Sequence, residues 1–535
     1  MGSYLSIWAA ALGLINHVFF HKCEPSSANI PFLLLAVQPV ALLVFFGGPV
    51  TVVRVLLSYL VFLGSLSVSI AAYRTSPFHP LAQYPGPTID KVTKLWGLWK
   101  ASQGYKHLYT KELHDRYGPY VRTGPNEISV IDAPAASQIL NFGGLEKGRY
   151  YEAGRNSVTQ PPIGAATGEI HTAKRRVWNR AMTSVAVREY EPLIVNRASQ
   201  LISRLREQSG AVDLVRWFNL FAFDLMGDLA FGGGFEMLRD GEDLDGLGER
   251  IRGYTKAYHL CGQVPWIMST LHLLPQAGRI VEEFNGFAKN LAMQRMKKGA
   301  VGMMDLWYHL TDEAGLEKEQ PTVETAAGDG VTAIIAASDT TASTMSSLVW
   351  FLLSNPKCYQ RVQQESDNVF VNGDDFFDVG KHQELHFLSA CIDEALRLHP
   401  PVPSSGPRQV RLNEPGRNIA GRFIPEGTSI YIPPYSLHRN PDYFSHPDNF
   451  IPDRWIQDSK LEKHNTAAFI PFSIGPANCV GKQFAKRELF TVLVVLFKSF
   501  DLRFADGFDS EAWPKGLRDF FVVTRPPLCV NLTPR

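Results

Sequence analysis

Three apolar stretches with short polar breaks open the chain. They run from Leu5 to Phe20, from Pro31 to Phe46 and from Val55 to Tyr73, and the last one carries no charge. Roughly 20 residues cross a bilayer core, so the third stretch is long enough to span a membrane and the first is at the short end of the range. The pattern predicts a membrane anchor of one to three apolar segments over residues 1–74.

The first two stretches have alternatives. A signal peptide is disfavoured because the first stretch lacks a basic start and further apolar segments follow it. A buried or interfacial helix is an equal alternative for each of the two. An odd number of spans places the amino terminus and the main domain on opposite sides, and the flanking charges Lys22, Arg54 and Arg74 are too few to fix the number.

A proline-rich segment ends the anchor. The sequence RTSPFHPLAQYPGP, from Arg74 to Pro87, contains four prolines and one glycine. Proline lacks the amide hydrogen that a helix interior needs, so this segment cannot continue a helix. It predicts a stiff, extended strap over residues 75–90.

Residues 91–535 contain no linker, low-complexity tract or repeat, which favours one large domain. Helical patterns dominate, and we expect helices over Lys91–Tyr117, Thr172–Lys298, Ala326–Leu353, Asn355–Phe370, Glu384–Leu398 and Gln483–Phe500. Alternating patterns predict short strands over Tyr120–Ile131 and Arg417–Pro433, and a hairpin over Gly516–Pro534. The expected fold class is mainly α with small β-sheets.

Composition and charge exclude several function classes. The formal net charge of +1 over 535 residues argues against nucleic acid as a partner. The six cysteines are scattered without a C-x-x-C pair, which excludes a disulfide framework and a zinc site and favours five small buried side chains. The chain has neither G-x-G-x-x-G nor G-x-x-x-x-G-K-[ST], so electrons for a redox reaction must come from another protein.

One motif carries most of the chemical information. The sequence PFSIGPANCVGK, from Pro471 to Lys482, places Cys479 just before a long apolar helix. The free N–H groups and positive end of that helix favour the thiolate, which is the form that binds metals. Gly475 permits a tight turn, Gly481 leaves room for a flat cofactor, and Phe472 supplies an apolar cover. A cysteine nucleophile is the alternative chemistry.

This loop resembles the haem-binding loop of the cytochrome P-450 superfamily, F-x-x-G-x-R-x-C-x-G. Phe472, Gly475, Cys479 and Gly481 match the signature, and Ala477 stands where the family has arginine. The resemblance implies that Cys479 is the axial ligand of the iron of haem b (iron protoporphyrin IX). It also implies the cytochrome P-450 fold around a buried haem, with residues 91–535 as the catalytic domain.

Two further motifs match the family's Glu-Arg-Arg network. The sequence EALR contains Glu394 and Arg397, which lie three apart on one helix face, and FIPDRW contains Arg454. Taken alone, an E-x-x-R pair is more often a surface ion pair of little energetic value. Within the resemblance, the three residues form a structural network that fixes the thiolate loop.

The long helix contains AASDTT, from Ala336 to Thr341, which resembles the family's oxygen-activation motif A-G-x-D/E-T-T, with Ala337 in place of the glycine. The resemblance implies that Asp339 and Thr340 relay protons to bound dioxygen. The alternative is a small-residue helix whose hydroxyl groups bond to its own backbone carbonyls.

Three basic residues match the family's partners for the haem propionates. His171 and Arg175 lie four apart on one helix face in HTAKR, and Arg408 follows the E-x-x-R helix. The alternative for His171 is a surface histidine. A basic docking face for an acidic electron donor would consist of Lys174, Arg175, Arg176, Lys482, Lys486 and Arg487. Plain solvation of these side chains is the alternative.

The resemblance implies a membrane-anchored monooxygenase of fungal type. Its partners would be an NADPH-cytochrome P-450 reductase, with cytochrome b5 as a further candidate, and its location the endoplasmic reticulum membrane with the domain facing the cytosol. A lipophilic terpenoid or aromatic substrate of secondary metabolism would bind between segments 156–167, 258–274, 402–406, 517–521 and the helix near Ile335. The alternatives are an isomerase or dehydratase of the same fold that uses no dioxygen, and a haem sensor or carrier.

Overall fold

Two long apolar helices lie side by side at the amino-terminal end. The computed structural model describes residues 2–23, 29–46, 50–154, 161–265, 275–298, 304–371, 375–412, 414–456 and 461–535. Helix α1 (Gly2–Lys22) runs parallel to α4 (Val52–Thr75), since Ala10 meets Ser65 and His17 meets Ser69. A Cβ on Gly13 would lie 2.1 Å from Oγ of Ser65, so the close approach of the helices requires glycine there. Between them come α2 (Asn29–Phe32), a π-helical turn (Leu33–Val37) and α3 (Gln38–Phe45).

The strap is an irregular segment that is fixed by one buried arginine. The Arg122 amide donates to the carbonyl oxygen of Pro85 at 2.7 Å, and its guanidinium donates to that of Arg74 at 2.9 Å. A Cβ on Gly86 would lie 2.3 Å from the carbonyl oxygen of Arg122, which explains the glycine. Helix α5 begins at Thr88, so the irregular part is shorter than the predicted strap.

The remaining helices follow the predicted order with more interruptions. Residues 91–117, which were expected to be one helical region, are divided between three helices. The helices up to residue 298 are α5 (Thr88–Val92), α6 (Leu95–Ser102), α7 (Lys106–Tyr117), α8 (Ala133–Leu140), α9 (Gly168–Ala181), α10 (Ser184–Glu189), α11 (Glu191–Arg206), α12 (Leu214–Phe231), α13 (Met237–Asp240), α14 (Leu247–Gln263) and α15 (Pro275–Lys298). Those after it are α16 (Leu306–Leu310), α17 (Val323–Ser354), α18 (Pro356–Val369), α19 (His386–Leu398), α20 (Pro434–Leu437) and α21 (Lys482–Ser499).

The strands form small sheets at the edge of this helical body. A five-stranded sheet has the order β1-β2-β8-β5-β3, a three-stranded sheet the order β4-β12-β9, and two hairpins pair β6 with β7 and β10 with β11. The strands are β1 (Tyr120–Gly124), β2 (Glu127–Val130), β3 (Glu146–Lys147), β4 (Ala211–Asp213), β5 (Arg408–Gln409), β6 (Arg417–Ile419), β7 (Arg422–Ile424), β8 (Ser429–Tyr431), β9 (Phe500–Phe504), β10 (Arg518–Phe520), β11 (Val522–Thr524) and β12 (Cys529–Pro534). The mainly α fold class with small sheets is confirmed.

The carboxyl-terminal hairpin was predicted only in part. Strands β10 and β11 do form a hairpin, but β12 pairs with β9 and β4 in a different sheet. The Arg525-Pro526-Pro527 sequence after β11 explains why the chain leaves this hairpin before β12, because two consecutive prolines cannot donate to a sheet ladder.

The main hydrophobic core is centred on α12, α17 and α21. From residue 341 to residue 349 every side chain of α17 is buried. Helix α21 begins immediately after the Cys479 loop, so packing against this core fixes the position of the loop relative to α17.

Candidate functional site

The Cys479 loop is a tight turn whose glycine is required by a close approach. The Cys479 amide donates to the carbonyl oxygen of Phe472 at 2.8 Å, and the Asn478 amide donates to that of Gly475 at 3.1 Å. Gly475 has a φ of 74°, and a Cβ there would lie 2.2 Å from the carbonyl oxygen of Leu140 in α8. Backbone conformation and contact therefore both favour glycine.

The thiol of Cys479 needs a positive partner to become a thiolate. Its side chain is solvent-accessible, yet the protein packed around the loop raises the pKa of the thiol by desolvation. The Gly481 N–H, Arg175 and Lys482 act in the opposite direction. The start of α21, which was invoked from the sequence, does not lower the pKa of the thiol enough to outweigh desolvation. A bound metal cation, in contrast, deprotonates a coordinating thiol outright.

Helix α17 presents an accessible stripe in the middle of an otherwise buried segment. Ala336 is exposed and Thr340 is partly exposed, whereas Ser338 and Asp339 are buried. Positions four apart lie on the same helix face, so Ala336 and Thr340 share one accessible face of α17.

The two relay candidates point in different directions. The Thr340 hydroxyl donates to the carbonyl oxygen of Ala336 at 2.7 Å, as the helix-packing alternative anticipates. The Asp339 carboxylate lies 3.5 Å from the guanidinium of Arg525, which also donates to Oδ1 of Asn219 at 2.8 Å. Burial raises the pKa of Asp339, and Arg525 opposes that shift. Within the part of the chain that the structure describes, no hydrogen bond joins Asp339 to Thr340.

Sequence patterns did not predict the roles of two ionisable side chains that contact α17, Glu488 and Arg525. The Thr341 hydroxyl donates to Oε1 of Glu488 at 2.7 Å, and burial raises the pKa of Glu488 to about 8. A single carboxylate before the apolar run LFTVLVVLF was the available sequence signal. Arg525 had no such signal, because its pairing with Asp339 joins residues that are far apart in the chain.

The predicted propionate partners come together beside the Cys479 loop. Arg175 donates to the backbone carbonyl and the side-chain oxygen of Asn478, directly before the cysteine. His171 and Arg408 line a cleft of about 520 Å³ that also includes Ala477. Burial, followed by the neighbouring cations, lowers the pKa of His171 to about 4, so this imidazole is neutral at pH 7. His171 is partly exposed and lines this cleft.

The donor set fits a haem group with a thiolate ligand. Nε of Arg408 is buried and has no hydrogen-bond partner, although a buried guanidinium normally has one. A Cβ on Gly481 would meet no protein atom within 4 Å, so packing within the chain does not require glycine there. An iron porphyrin with two carboxylates needs an accessible thiol, cations that have no carboxylate partner in the protein, and a backbone segment without a side chain at its face.

The Glu-Arg-Arg network is closed and fully buried. Glu394 accepts hydrogen bonds from Nε and Nη2 of Arg397 at 2.9 and 2.8 Å and from Nε of Arg454 at 3.1 Å. The amide of Ile451 and Nε1 of Trp455 each donate to it at 2.9 Å. All three charged side chains are at most 1% exposed, so the surface ion-pair alternative is wrong here.

The network reaches the thiolate loop through one histidine. Arg397 donates to the backbone carbonyl of His438 at 2.9 Å, and Nε2 of His438 accepts from the Ile470 amide at 3.0 Å. Ile470 lies two residues before Phe472. The predicted connection between this network and the loop is therefore a short chain of hydrogen bonds.

The basic run on α9 differs from the sequence interpretation. Lys174 is buried and pairs with Asp329 at 2.6 Å, so it belongs neither to a docking face nor to a solvated one. Arg176 pairs with Glu317. A docking face would have to rest on the cations near the start of α21.

Part of the predicted substrate pocket is an aromatic group. Tyr150 stacks on Phe521 with ring centroids 6.0 Å apart, and Tyr258 packs edge-on against both. The hydroxyl of Tyr150 and Nδ1 of His259 are 2.9 Å apart. The predicted segments 156–160 and 266–274 lie outside the described residues.

Comparison with known proteins gives a consistent result. The family model described as cytochrome P-450 matches residues 85–530. The chain is 34% identical over 485 residues to cytochrome P-450 monooxygenase FCK2 of Fusarium pseudograminearum, covering 88% of this chain and 85% of that protein. It is 30% identical over 531 residues to tryprostatin B 6-hydroxylase of Neosartorya fischeri (97% and 93%). It is 31% identical over 476 residues to trichothecene C-15 hydroxylase of Fusarium sporotrichioides (86% and 94%).

Proposed function

Because the chain belongs to the cytochrome P-450 family and is a monooxygenase of that family, we propose that it hydroxylates a lipophilic small molecule of fungal secondary metabolism. The observation that carries the proposal is the accessible thiol of Cys479 on a loop beside uncompensated cations, with an exposed stripe on the neighbouring helix α17. We infer that the cofactor is haem b, held by Cys479, His171, Arg175 and Arg408.

Each residue has a defined task in this proposal. A haem iron with a thiolate ligand supplies dioxygen cleavage and transfer of one oxygen atom to the substrate. Cys479 would provide the thiolate, and His171, Arg175 and Arg408 would hold the carboxylates of the group. Thr340 holds a proton at Oγ1 on the accessible stripe, and Asp339 moves protons when its carboxylate leaves Arg525.

We propose that electrons come from NADPH through a separate reductase, with cytochrome b5 as a second donor. Lys482, Lys486 and Arg487 lie at the start of α21, beside the Cys479 loop, and Arg487 pairs with Glu191 at 3.3 Å. A positive surface next to the electron acceptor attracts an acidic donor and increases the association rate at low salt.

The aromatic group around Tyr150, Tyr258 and Phe521 supports a substrate with a flat, apolar ring system. Aromatic side chains in offset or edge-on arrangements bind such rings favourably. Relatives named as hydroxylases of tryprostatin B and of a trichothecene are consistent with an aromatic or terpenoid substrate.

Thr340→Ala tests the proposed reaction. The assay uses a partner reductase and a compound that the parent enzyme oxidises. The product formed per NADPH is expected to fall at least about tenfold, because a positioned proton donor is lost. NADPH consumption should continue. Thr332→Ala is the matched control, since the Thr332 hydroxyl makes the same backbone bond, to Gly328 at 2.8 Å, two turns away.

The alternatives predict other results. An isomerase or dehydratase of the same fold would convert substrate without NADPH, and a sensor or carrier would not turn over substrate at all. Equal product yields from Thr340→Ala and the parent would contradict the role of Thr340.

We further propose that residues 2–75 cross the endoplasmic reticulum membrane three times. Helices α1 and α4 are long and apolar enough to span, and they run parallel. The chain must therefore return across the full length of the pair between residues 22 and 52, through the apolar helices α2 and α3. Asn16 donates to Oε1 of Gln38 at 2.6 Å, which pairs two polar side chains inside this bundle.

Three spans place the amino terminus in the lumen and residues 76–535 in the cytosol. A glycosylation acceptor fused before α1 is expected to be modified in microsomes, whereas the same acceptor fused after Arg535 is not. Lys22 and Arg74 would lie on the cytosolic side and Arg54 on the luminal side, a bias in the direction of the positive-inside rule. An unmodified amino-terminal acceptor would contradict the three-span arrangement.

A further inference from the structure

A further cation belongs to the group around the predicted propionate partners. Lys147 on β3 lies directly opposite Arg408 on β5, because these residues are partners in the antiparallel pair. Like charges directly opposite each other in a sheet are destabilising. Burial, with Arg408 and Arg175, lowers the pKa of Lys147 to about 7. The chain thus brings its cations together at an energetic cost that a nearby anion would offset.

Glu146 and Glu169, both within the described residues, line the same cleft, but neither forms an ion pair with Lys147. The Lys147 ammonium donates to the carbonyl oxygens of Ile163 and Ala166 at 2.8 and 3.1 Å. Among the described residues no ion pair joins it to a carboxylate, and its neighbour Glu146 pairs with Arg411 instead. An ammonium has three donors. Two bond these carbonyls, and the third, with Nζ 5.7 Å from the centroid of the Tyr151 ring, has no oxygen acceptor among the described residues.

Lys147 and Ala477 lie on the same cleft. His171, Arg408 and Arg176 also line it, together with Glu146 and Glu169. Ala477 is the one position of the Cys479 loop where the family's charged residue is missing. We propose that Lys147 binds a haem propionate in place of the arginine that the family has at position 477. This inference rests on the proposed function, since it takes haem as the ligand. Charge-assisted hydrogen bonds of this kind are short and strong.

Transfer of haem from the purified full-length holoprotein to excess apomyoglobin tests this assignment. Lys147→Gln removes the charge but keeps donors for the two carbonyls, and transfer is expected to be on the order of tenfold faster. Lys147→Arg keeps the charge and should stay near the parent rate. Adding Ala477→Arg to Lys147→Gln should slow the transfer again, because it restores a cation to the same cleft.

Lys106→Gln is the matched control. Lys106 is buried, donates to Gln263 at 2.7 Å, and has a pKa lowered by burial to about 8, but it does not line the cleft. It should transfer haem at the parent rate. Faster transfer from Lys147→Gln than from this control, reversed by Ala477→Arg, supports the assignment.

The outcomes separate this inference from the proposed function. A reduced haem iron with a thiolate ligand gives a red-shifted absorption band when it binds carbon monoxide. If Lys147→Gln keeps this band and transfers haem at the parent rate, the role of Lys147 alone is overturned. Absence of that band in the parent overturns the proposed function. If Lys147→Gln does not fold, the double variant decides: recovery of a haem-retaining protein supports the assignment, and a double variant that also fails to retain haem overturns it.

Discussion

Replacing Cys479 by alanine is expected to abolish the red-shifted carbon monoxide band of the reduced protein without unfolding the chain. The accessible side chain of Cys479 contributes little to the core, and the loop geometry depends on backbone groups and on Gly475. The thiolate is the only soft anionic ligand that this loop offers, so its removal leaves the iron without its protein ligand. Difference spectra of parent and variant measure the effect directly.

Cys391→Ala is the control for a general effect of losing a cysteine. Cys391 is fully buried on α19, so its replacement should cost about 1 kcal/mol of the free energy of unfolding and leave the spectrum unchanged. An unchanged band in Cys479→Ala would refute the assignment of the axial ligand. Loss of the band in both variants would point to instability instead.

The parts of the site that the sequence predicted are short local patterns. The turn before α21 needs glycine at position 475, and the pair Glu394 and Arg397 needs only a helical spacing, so both are readable without a structure. The main helices were predicted for the same reason, because their apolar periodicity is local. Boundaries were less well predicted, since they depend on contacts such as that between Arg122 and Pro85.

The parts that were missed depend on contacts between distant segments. Lys147 becomes significant only because β3 and β5 pair and place it opposite Arg408. Lys174 was assigned to the surface because its partner Asp329 is 155 residues away. For the same reason Arg525 could not be connected with Asp339. Local patterns thus indicated the chemistry, and long-range pairing determined which charges are compensated.

Replacing Glu394 by alanine is expected to produce the largest loss of stability in the chain. The change would leave Arg397 and Arg454 buried without their anion, and the indole of Trp455 and the amide of Ile451 without an acceptor. Removing one partner of a buried ion pair costs about 3–5 kcal/mol, because the remaining charge stays desolvated. Since the chain of hydrogen bonds continues through His438 to Ile470, haem incorporation should fall as well.

The matched control for this change lies one residue from Arg454. Asp453 pairs with Arg361 at 2.7 Å, but both side chains are about half exposed (56% and 47%). Asp453→Asn should therefore change the free energy of unfolding by less than about 1 kcal/mol. Denaturant unfolding followed by tryptophan fluorescence, together with the haem content of the purified proteins, measures both variants. The two variants are expected to differ because Glu394 is buried and Asp453 is exposed, although both form ion pairs. If Glu394→Ala loses no more free energy of unfolding than Asp453→Asn, the network does not hold the loop.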